Sequence, residues 1–209
     1  MLLAHYTNPP LTRRSPQSLT SPLTLTNLKY SEYINKSFEY SGLLSVLLYE
    51  SLKMAYELPN NLNLVNEDSV NGLWNSILGH YYFPYPDYII KPEGRIESVR
   101  GANLRFADLV VCDPNGVHKL VFEGKRHGLG DITKADAIQQ ATAYAQGCNV
   151  RFAIVASGRE VTFLQVDNQG SAVLVPPGTT FAGWIDMVDK ISMVDQRLKY
   201  IKMMIEMAH

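Results

Sequence analysis

The chain has 209 residues, of which 46% are hydrophobic and 10% aromatic, so it can bury one sizeable core but leaves little room for two full domains. Its formal net charge of −1 excludes a global positive field for nucleic acid, so any phosphate binding has to be local. Two cysteines exclude a disulfide framework, and no stretch reaches the roughly 20 apolar residues of a membrane span. With no secretory pattern at its start, we expect a reduced, intracellular protein without a membrane partner.

The N-terminal part of the chain differs in composition from the rest. Residues 7–27 are rich in Ser, Thr, Pro and Leu with almost no acid, so we predict a flexible leader at 1–28. Apolar residues at helical spacing follow, and one or two helices are predicted at 29–60 as an N-terminal extension. The core or a second subunit must cover their apolar residues, so a homodimer through these helices is one expectation. Residues 61–209 are predicted to form the core with a C-terminal helix.

The core alternates helical and strand patterns in chain order. Asn66 is a suitable N-cap for a helix at about 67–80 with one apolar stripe. The predicted strands that follow are 88–90 with 96–99, as a pair or as one interrupted strand, and then 104–112 and 117–123. Next come a helix at 134–146 that begins near Thr133 and Asp136 with Gly147 as its C′ residue, strands at 150–156 and 161–166, and a last helical segment at about 181–207. One shared sheet is the economical packing for this order, which makes the fold α/β.

The hairpin between two of these strands decides which side chains meet. The Asn-Gly pair at 115–116 is a strong signal for a two-residue turn, which pairs Pro114 with Val117. Counted back along both strands, this register places Asp108 opposite Glu123, with Cβ atoms about 5 Å apart. Adjacent carboxylates repel unless a cation lies between them, and oxygen ligands at this spacing suit Mg²⁺ or Mn²⁺.

Lys125 is predicted to project from the same strand face as Glu123, because side chains alternate along a strand. Its ammonium can orient an attacking water or stabilise the charge that develops on a phosphate. The alternative is that Glu123 and Lys125 form a solvated pair at a strand end and that Asp108 is an incidental edge residue. The matching register and the apolar residues beside these charges favour the metal site.

Phe106-Ala107-Asp108, followed on the next strand by Glu123-Gly124-Lys125, resembles the split D…(D/E)-x-K signature of the PD-(D/E)XK nuclease superfamily. On the helix that follows, Gln140 to Tyr144 resembles the Q-x-x-x-Y element of RecB-like and Holliday-junction-resolvase-like members. The resemblance spans about residues 66–166. It implies a restriction-endonuclease-like core, a central mixed β-sheet flanked by helices in αβββαβ order, with extra N- and C-terminal helices.

The resemblance also implies roles for residues outside the hairpin. Gln140 would join the catalytic group by fixing Lys125 or the water, and Tyr144 would contact phosphate; the alternative is an exposed glutamine and a core tyrosine. Superfamily members often carry an acid on the helix before the first strand, where Glu67 fits as a third metal ligand. Asp68 is the weaker choice, and a favourable charge at a helix N-terminus is the alternative use of Glu67.

Basic residues along this segment supply a local positive charge, and Arg105, Arg126 and Lys134 are expected to bind the substrate backbone. Arg126 can equally belong to a solvated loop. The expected function is Mg²⁺- or Mn²⁺-dependent hydrolysis of nucleic acid, DNA before RNA because most families with this motif order act on DNA. The alternative is an inactive nucleic-acid-binding or protein-interaction module on the same fold. The Ser/Thr/Pro-rich leader followed by a compact nuclease-like core is similar in layout to the nuclease domains of eukaryotic effector and selfish-element proteins, including the Crinkler-type group. The expected location is intracellular, which includes the nucleus.

Overall fold

The computed structural model describes residues 66–96, 105–128, 130–167, 169–175 and 183–208. The predicted leader and the predicted helical extension lie outside these residues, as does the homodimer expected through that extension. None of the helices in the described ranges combines the length and the apolar character needed to cross a membrane.

A seven-stranded mixed sheet flanked by helices makes up the described part of the chain. The helices are α1 (Glu67–Ile77), which a π-helical turn at Leu78–Tyr82 extends, α2 (Asp131–Gly147) and α3 (Ile191–Glu206). The strands are β1 (Ile89–Ile96), β2 (Arg105–Cys112), β3 (His118–Lys125), β4 (Phe152–Ser157), β5 (Glu160–Val166), β6 (Ala172–Leu174) and β7 (Ile185–Asp186). They run in the order β1-β2-β3-β4-β5-β6, with β7 also on β5, and every pairing is antiparallel except β3 with β4. This confirms the predicted α/β sheet and its αβββαβ order.

Each face of the sheet has its own hydrophobic core. Against one face pack α1, the π-helical turn and α3, with Trp74 stacked on Phe122 at a ring distance of 5.2 Å. The Asn66 side chain accepts the Ser69 N–H at 2.8 Å, so the predicted N-cap of α1 is confirmed. Against the other face packs α2, whose buried alanines include Ala141 and allow the helix to approach the strands closely. Helices α1 and α2 therefore lie on opposite faces of the sheet, on either side of β3.

The turn of the β2–β3 hairpin differs from the predicted one. The Asp113 N–H donates to the Val117 carbonyl at 2.9 Å, and the Gly116 N–H donates to the Asp113 carbonyl at 2.9 Å. Gly116 has φ 82, the left-handed conformation that ends a three-residue hairpin loop. The prediction that Pro114 pairs with Val117 across a two-residue turn is therefore wrong.

A bulge nevertheless restores the predicted register farther along the hairpin. Cys112 pairs with His118 but Val111 pairs with Leu120, so one extra residue of β3 is taken up between them. From there the pairing follows the predicted register as far as Leu109 with Phe122. Two one-residue differences cancel, and the next position brings Asp108 beside Glu123.

Several predicted boundaries are wrong because tertiary contacts override local signals. The helix α2 begins at Asp131 instead of near Thr133, and its N-cap is Gly130, which has no side chain that could cap the helix. Gly147 stays helical, and Asn149 instead takes the left-handed conformation with φ 53. The last helix begins only at Ile191, because the residues before it form β7 against β5. The segment from 89 to 96 forms one continuous strand, so the break that both predicted alternatives contained is wrong, and residues 97–99 lie outside the described part of the chain.

Candidate metal centre at the end of the sheet

Three carboxylates from three different elements converge beside the C-terminal end of β3. Glu67 comes from the first turn of α1, Asp108 from β2 and Glu123 from β3, and their ligand oxygens all lie within 4.8 Å of one another. The cluster extends from the interior to the surface: Glu123 is 1% exposed, whereas 44% of the Glu67 side chain is accessible. Such oxygens are close enough to share one cation that enters from the Glu67 side.

Lys125 bridges two members of this carboxylate cluster. Its Nζ lies 2.5 Å from Oε1 of Glu123 and 3.2 Å from Oε1 of Glu67. Burial opposes the charge of Lys125, but its hydrogen bond to Glu123 and the charges of both glutamates raise its pKa overall. Three carboxylates facing one ammonium leave two negative charges when all are ionised, which a divalent cation would neutralise.

The negative charge of Glu123 is not fully compensated within the cluster. Its Oε2 is buried and has no hydrogen-bond partner among the described residues. Burial and the nearby charge of Asp108 raise the pKa of Glu123 to about 7, although Lys125 works in the opposite direction. A buried carboxylate oxygen without a partner is unfavourable unless a cation or a proton is supplied to it. The residues present therefore fit an oxygen-liganded divalent cation such as Mg²⁺ or Mn²⁺.

Asp108 is held by neighbours on both sides. The Gly124 N–H donates to its Oδ2 at 2.7 Å, and the side-chain amide of Asn71 donates a second hydrogen bond. Burial raises the pKa of Asp108, and these hydrogen bonds reduce the effect without removing it. Asn71 was missed in the sequence, although it lies one helical turn after Glu67 and so shares its face of α1.

The expected face of α2 also lies toward the cluster. Gln140 Nε2 donates a hydrogen bond to the hydroxyl of Tyr144, so the described partner of Gln140 is this phenol and not Lys125. Burial raises the pKa of Tyr144, and the charge of Glu123 adds to the effect, so the phenol lies within electrostatic range of the carboxylates. The two side chains line a pocket of about 390 Å³ together with Asp136, Gln139 and Ala143.

The predicted substrate-binding cations occupy different environments. Lys134 pairs with Glu160 at 2.6 Å and lies 5.1 Å above the ring of Trp184, so its charge is already engaged. Arg126 is exposed directly after β3, and its carbonyl accepts the Ser157 hydroxyl at 2.9 Å. Arg105 begins β2, and its side chain lies outside the described part of the structure.

More than half of the chain matches a known protein family. A family model described as the N terminus of the type I restriction enzyme R protein matches residues 66–175, more than half of the chain. The chain belongs to this family. The match runs from α1 to the end of β6 and contains Glu67, Asp108, Glu123 and Lys125. This restriction-enzyme domain therefore includes every residue of the carboxylate cluster.

The restriction-enzyme domain also has a counterpart among solved structures. A chain in the structure titled "cryoEM structure DrdV-DNA complex" is similar, with a TM-score of 0.56 and 16% identity. The similarity covers 76% of the present chain but only 14% of that one, so the present chain spans a small part of its neighbour. At this identity the similarity shows the fold alone, which is the restriction-endonuclease-like core predicted above. A search of curated proteins found no match.

Proposed function

We propose that this chain is a Mg²⁺- or Mn²⁺-dependent nuclease of the PD-(D/E)XK type that hydrolyses phosphodiester bonds. DNA is the first choice of polymer and RNA the second. The observation that carries the proposal is the convergence of Glu67, Asp108 and Glu123, with ligand oxygens within 4.8 Å of one another beside Lys125. Membership of a restriction-enzyme family supports the nuclease assignment. The fold shared with a chain of a DNA complex supports DNA as the polymer.

The chemistry divides between a cation and the residues around it. A divalent cation bound by Glu67, Asp108 and Glu123 would supply positive charge that polarises the phosphate and lowers the pKa of water. Lys125 carries three N–H donors, of which two are directed at Glu123 and Glu67. The remaining donor has no partner among the described residues, so we assign it the task of orienting the attacking water or stabilising the charge on the phosphate in the transition state.

The pocket beside α2 gives the substrate a second point of contact. Gln140 and Tyr144 line it, and the phenol lies within electrostatic range of the carboxylates. We assign to these two side chains a contact with the phosphate next to the cleaved bond. We assign binding of the nucleic-acid backbone farther along to Arg126, which is exposed directly after β3, and to Arg105 at the start of β2.

A cleavage assay tests the proposal. Wild type, Lys125→Ala and Lys125→Arg are compared on plasmid, linear and single-stranded DNA and on RNA, with Mg²⁺, Mn²⁺ or EDTA. Lys125→Ala should lower turnover by roughly 10²- to 10⁴-fold and spare substrate affinity, since the contact matters mainly at the barrier. Lys125→Arg should not rescue turnover, because a planar guanidinium does not replace a compact ammonium beside a cation.

Lys119 provides the matched control, because it lies on the same strand and pairs with Asp113 at 3.3 Å, away from the cluster. Lys119→Ala should cleave like wild type. Full activity of Lys125→Ala would contradict the nuclease assignment of this centre. Substrate binding without cleavage by the wild type, under every metal condition, would favour the inactive binding module instead.

A further inference from the structure

Asn71 is a half-buried polar residue next to the carboxylate cluster. It lies on α1 one turn after Glu67, and its side-chain amide donates a hydrogen bond to Asp108. Its Oδ1 is buried, and no residue in the described part of the chain donates a hydrogen bond to it. An amide buried with half of its hydrogen-bonding capacity unused is unfavourable for stability. A role in holding Asp108 would account for an amide side chain at this position.

Gly124 is the residue that makes room for Asn71. A Cβ atom added to Gly124 would lie 1.9 Å from Oδ1 of Asn71 and 3.1 Å from its Cγ. The backbone of Gly124 is not in the left-handed conformation, so glycine is not required there by φ. A side chain at the middle position of Glu123-Gly124-Lys125 would therefore have to displace the Asn71 amide.

We propose that Asn71 is a positioning residue for the metal ligand Asp108, and that Gly124 is glycine in order to admit it. Asp108 then has two donors, the Asn71 amide from α1 and the Gly124 N–H from β3 at 2.7 Å from Oδ2. Together they fix the carboxylate plane and leave its other lone pairs for the cation shared with Glu67 and Glu123. Partners of this kind typically change metal affinity by about 10- to 100-fold when removed. The inference rests on the proposed metal-dependent function and deepens it.

The test measures Mn²⁺ affinity by isothermal titration calorimetry at pH 8, without substrate. Asn71→Ala and Asn71→Leu should each weaken Mn²⁺ binding by about tenfold or more, since neither can donate to Asp108. The leucine variant keeps the branched shape, so it decides the matter if the alanine variant fails to fold. Gly124→Ala should weaken binding by a similar factor, because the new methyl group forces the Asn71 amide away.

The double variant Asn71→Ala/Gly124→Ala provides the sharpest outcome. If both changes act through the same hydrogen bond, the double variant should bind Mn²⁺ no more weakly than the weaker-binding single variant. Asn75→Ala is the matched control, because Asn75 is exposed on the same helix one turn later, and it should bind like wild type. Thermal unfolding in EDTA establishes that each variant is folded.

Three results would overturn the inference. They are wild-type affinity in Asn71→Leu, losses that multiply in the double variant, and absence of Mn²⁺ binding by the wild type. The last result would remove the proposed function as well. A wild type that binds Mn²⁺ but cleaves no substrate would refute only the nuclease function, and the affinities of the variants would still decide the role of Asn71.

Discussion

Replacing Glu123 by glutamine should stabilise the metal-free protein at high pH. Glu123 is buried next to Asp108, and within the described ranges its Oε2 has no hydrogen-bond partner. Glutamine keeps the shape of the side chain and can still accept a hydrogen bond from Lys125 through its carbonyl. It removes the negative charge that burial and Asp108 disfavour. The same change removes a metal ligand, so stabilisation by Mn²⁺ should be lost together with the repulsion.

The size of the effect follows from the pKa of Glu123, which burial and Asp108 raise from 4.5 to about 7. Between pH 4.5 and 7 the folded protein retains a proton that the unfolded chain has lost, so the free energy of unfolding falls as pH rises through this window. Since one pKa unit corresponds to about 1.4 kcal/mol, the fall reaches at most about 3.5 kcal/mol and levels off above pH 7. Glu123→Gln should lack this component.

Urea unfolding in EDTA at pH 5, 6, 7 and 8 measures the difference between the two proteins. They should be of nearly equal stability at pH 5, and Glu123→Gln should be more stable by about 1–3 kcal/mol at pH 8. Glu160→Gln is the control, because Glu160 pairs with Lys134 and lies outside the carboxylate cluster, so its loss should not stabilise the protein at pH 8. A difference that stays constant with pH, or a variant less stable than wild type at pH 8, would refute the reasoning.

Other residues give further expectations for stability. Lys134→Ala should lower stability by about 1 kcal/mol and leave the salt dependence of DNA binding unchanged, because its charge is engaged by Glu160; a weaker salt dependence would show that Lys134 contacts phosphate after all. Tyr82→Phe should cost about 1–3 kcal/mol in a urea titration, because it leaves Oδ1 of the buried Asp195 without the phenol that donates at 2.8 Å. Asn149→Ala should lower the melting temperature, with a loss of about 1 kcal/mol, because Asn149 has φ 53; an unchanged melting temperature would argue against that conformation.

The alternation of side chains along strands made the centre of the site predictable. Glu123 and Lys125 face the same side of β3 because the period of a strand is two, and the structure joins them at 2.5 Å. The apolar pattern of both strands also constrained the register, since a slip by one residue would turn the buried side chains of β2 to the opposite face. The hairpin therefore kept Asp108 near Glu123 even though the predicted turn was wrong and a bulge was needed to compensate.

The partners that come from distant elements were decided only by tertiary packing. Glu67 and Asp68 are both acids in the first turn of α1, with Glu67 the stronger prediction, and the placement of that helix on the sheet brings Glu67 and not Asp68 into the cluster. The ion pair of Lys134 with Glu160 likewise depends on how α2 lies across β5.

The contact between Gly124 and Asn71 separates what local sequence determines from what tertiary packing decides. Local sequence determines which face of a strand or helix a residue occupies, and it does so for both. Their approach to within van der Waals contact depends on the distance and angle between α1 and β3, which the burial of Trp74 against Phe122 helps to set. No pattern along the chain contains that distance, because it results from packing between elements far apart in the sequence.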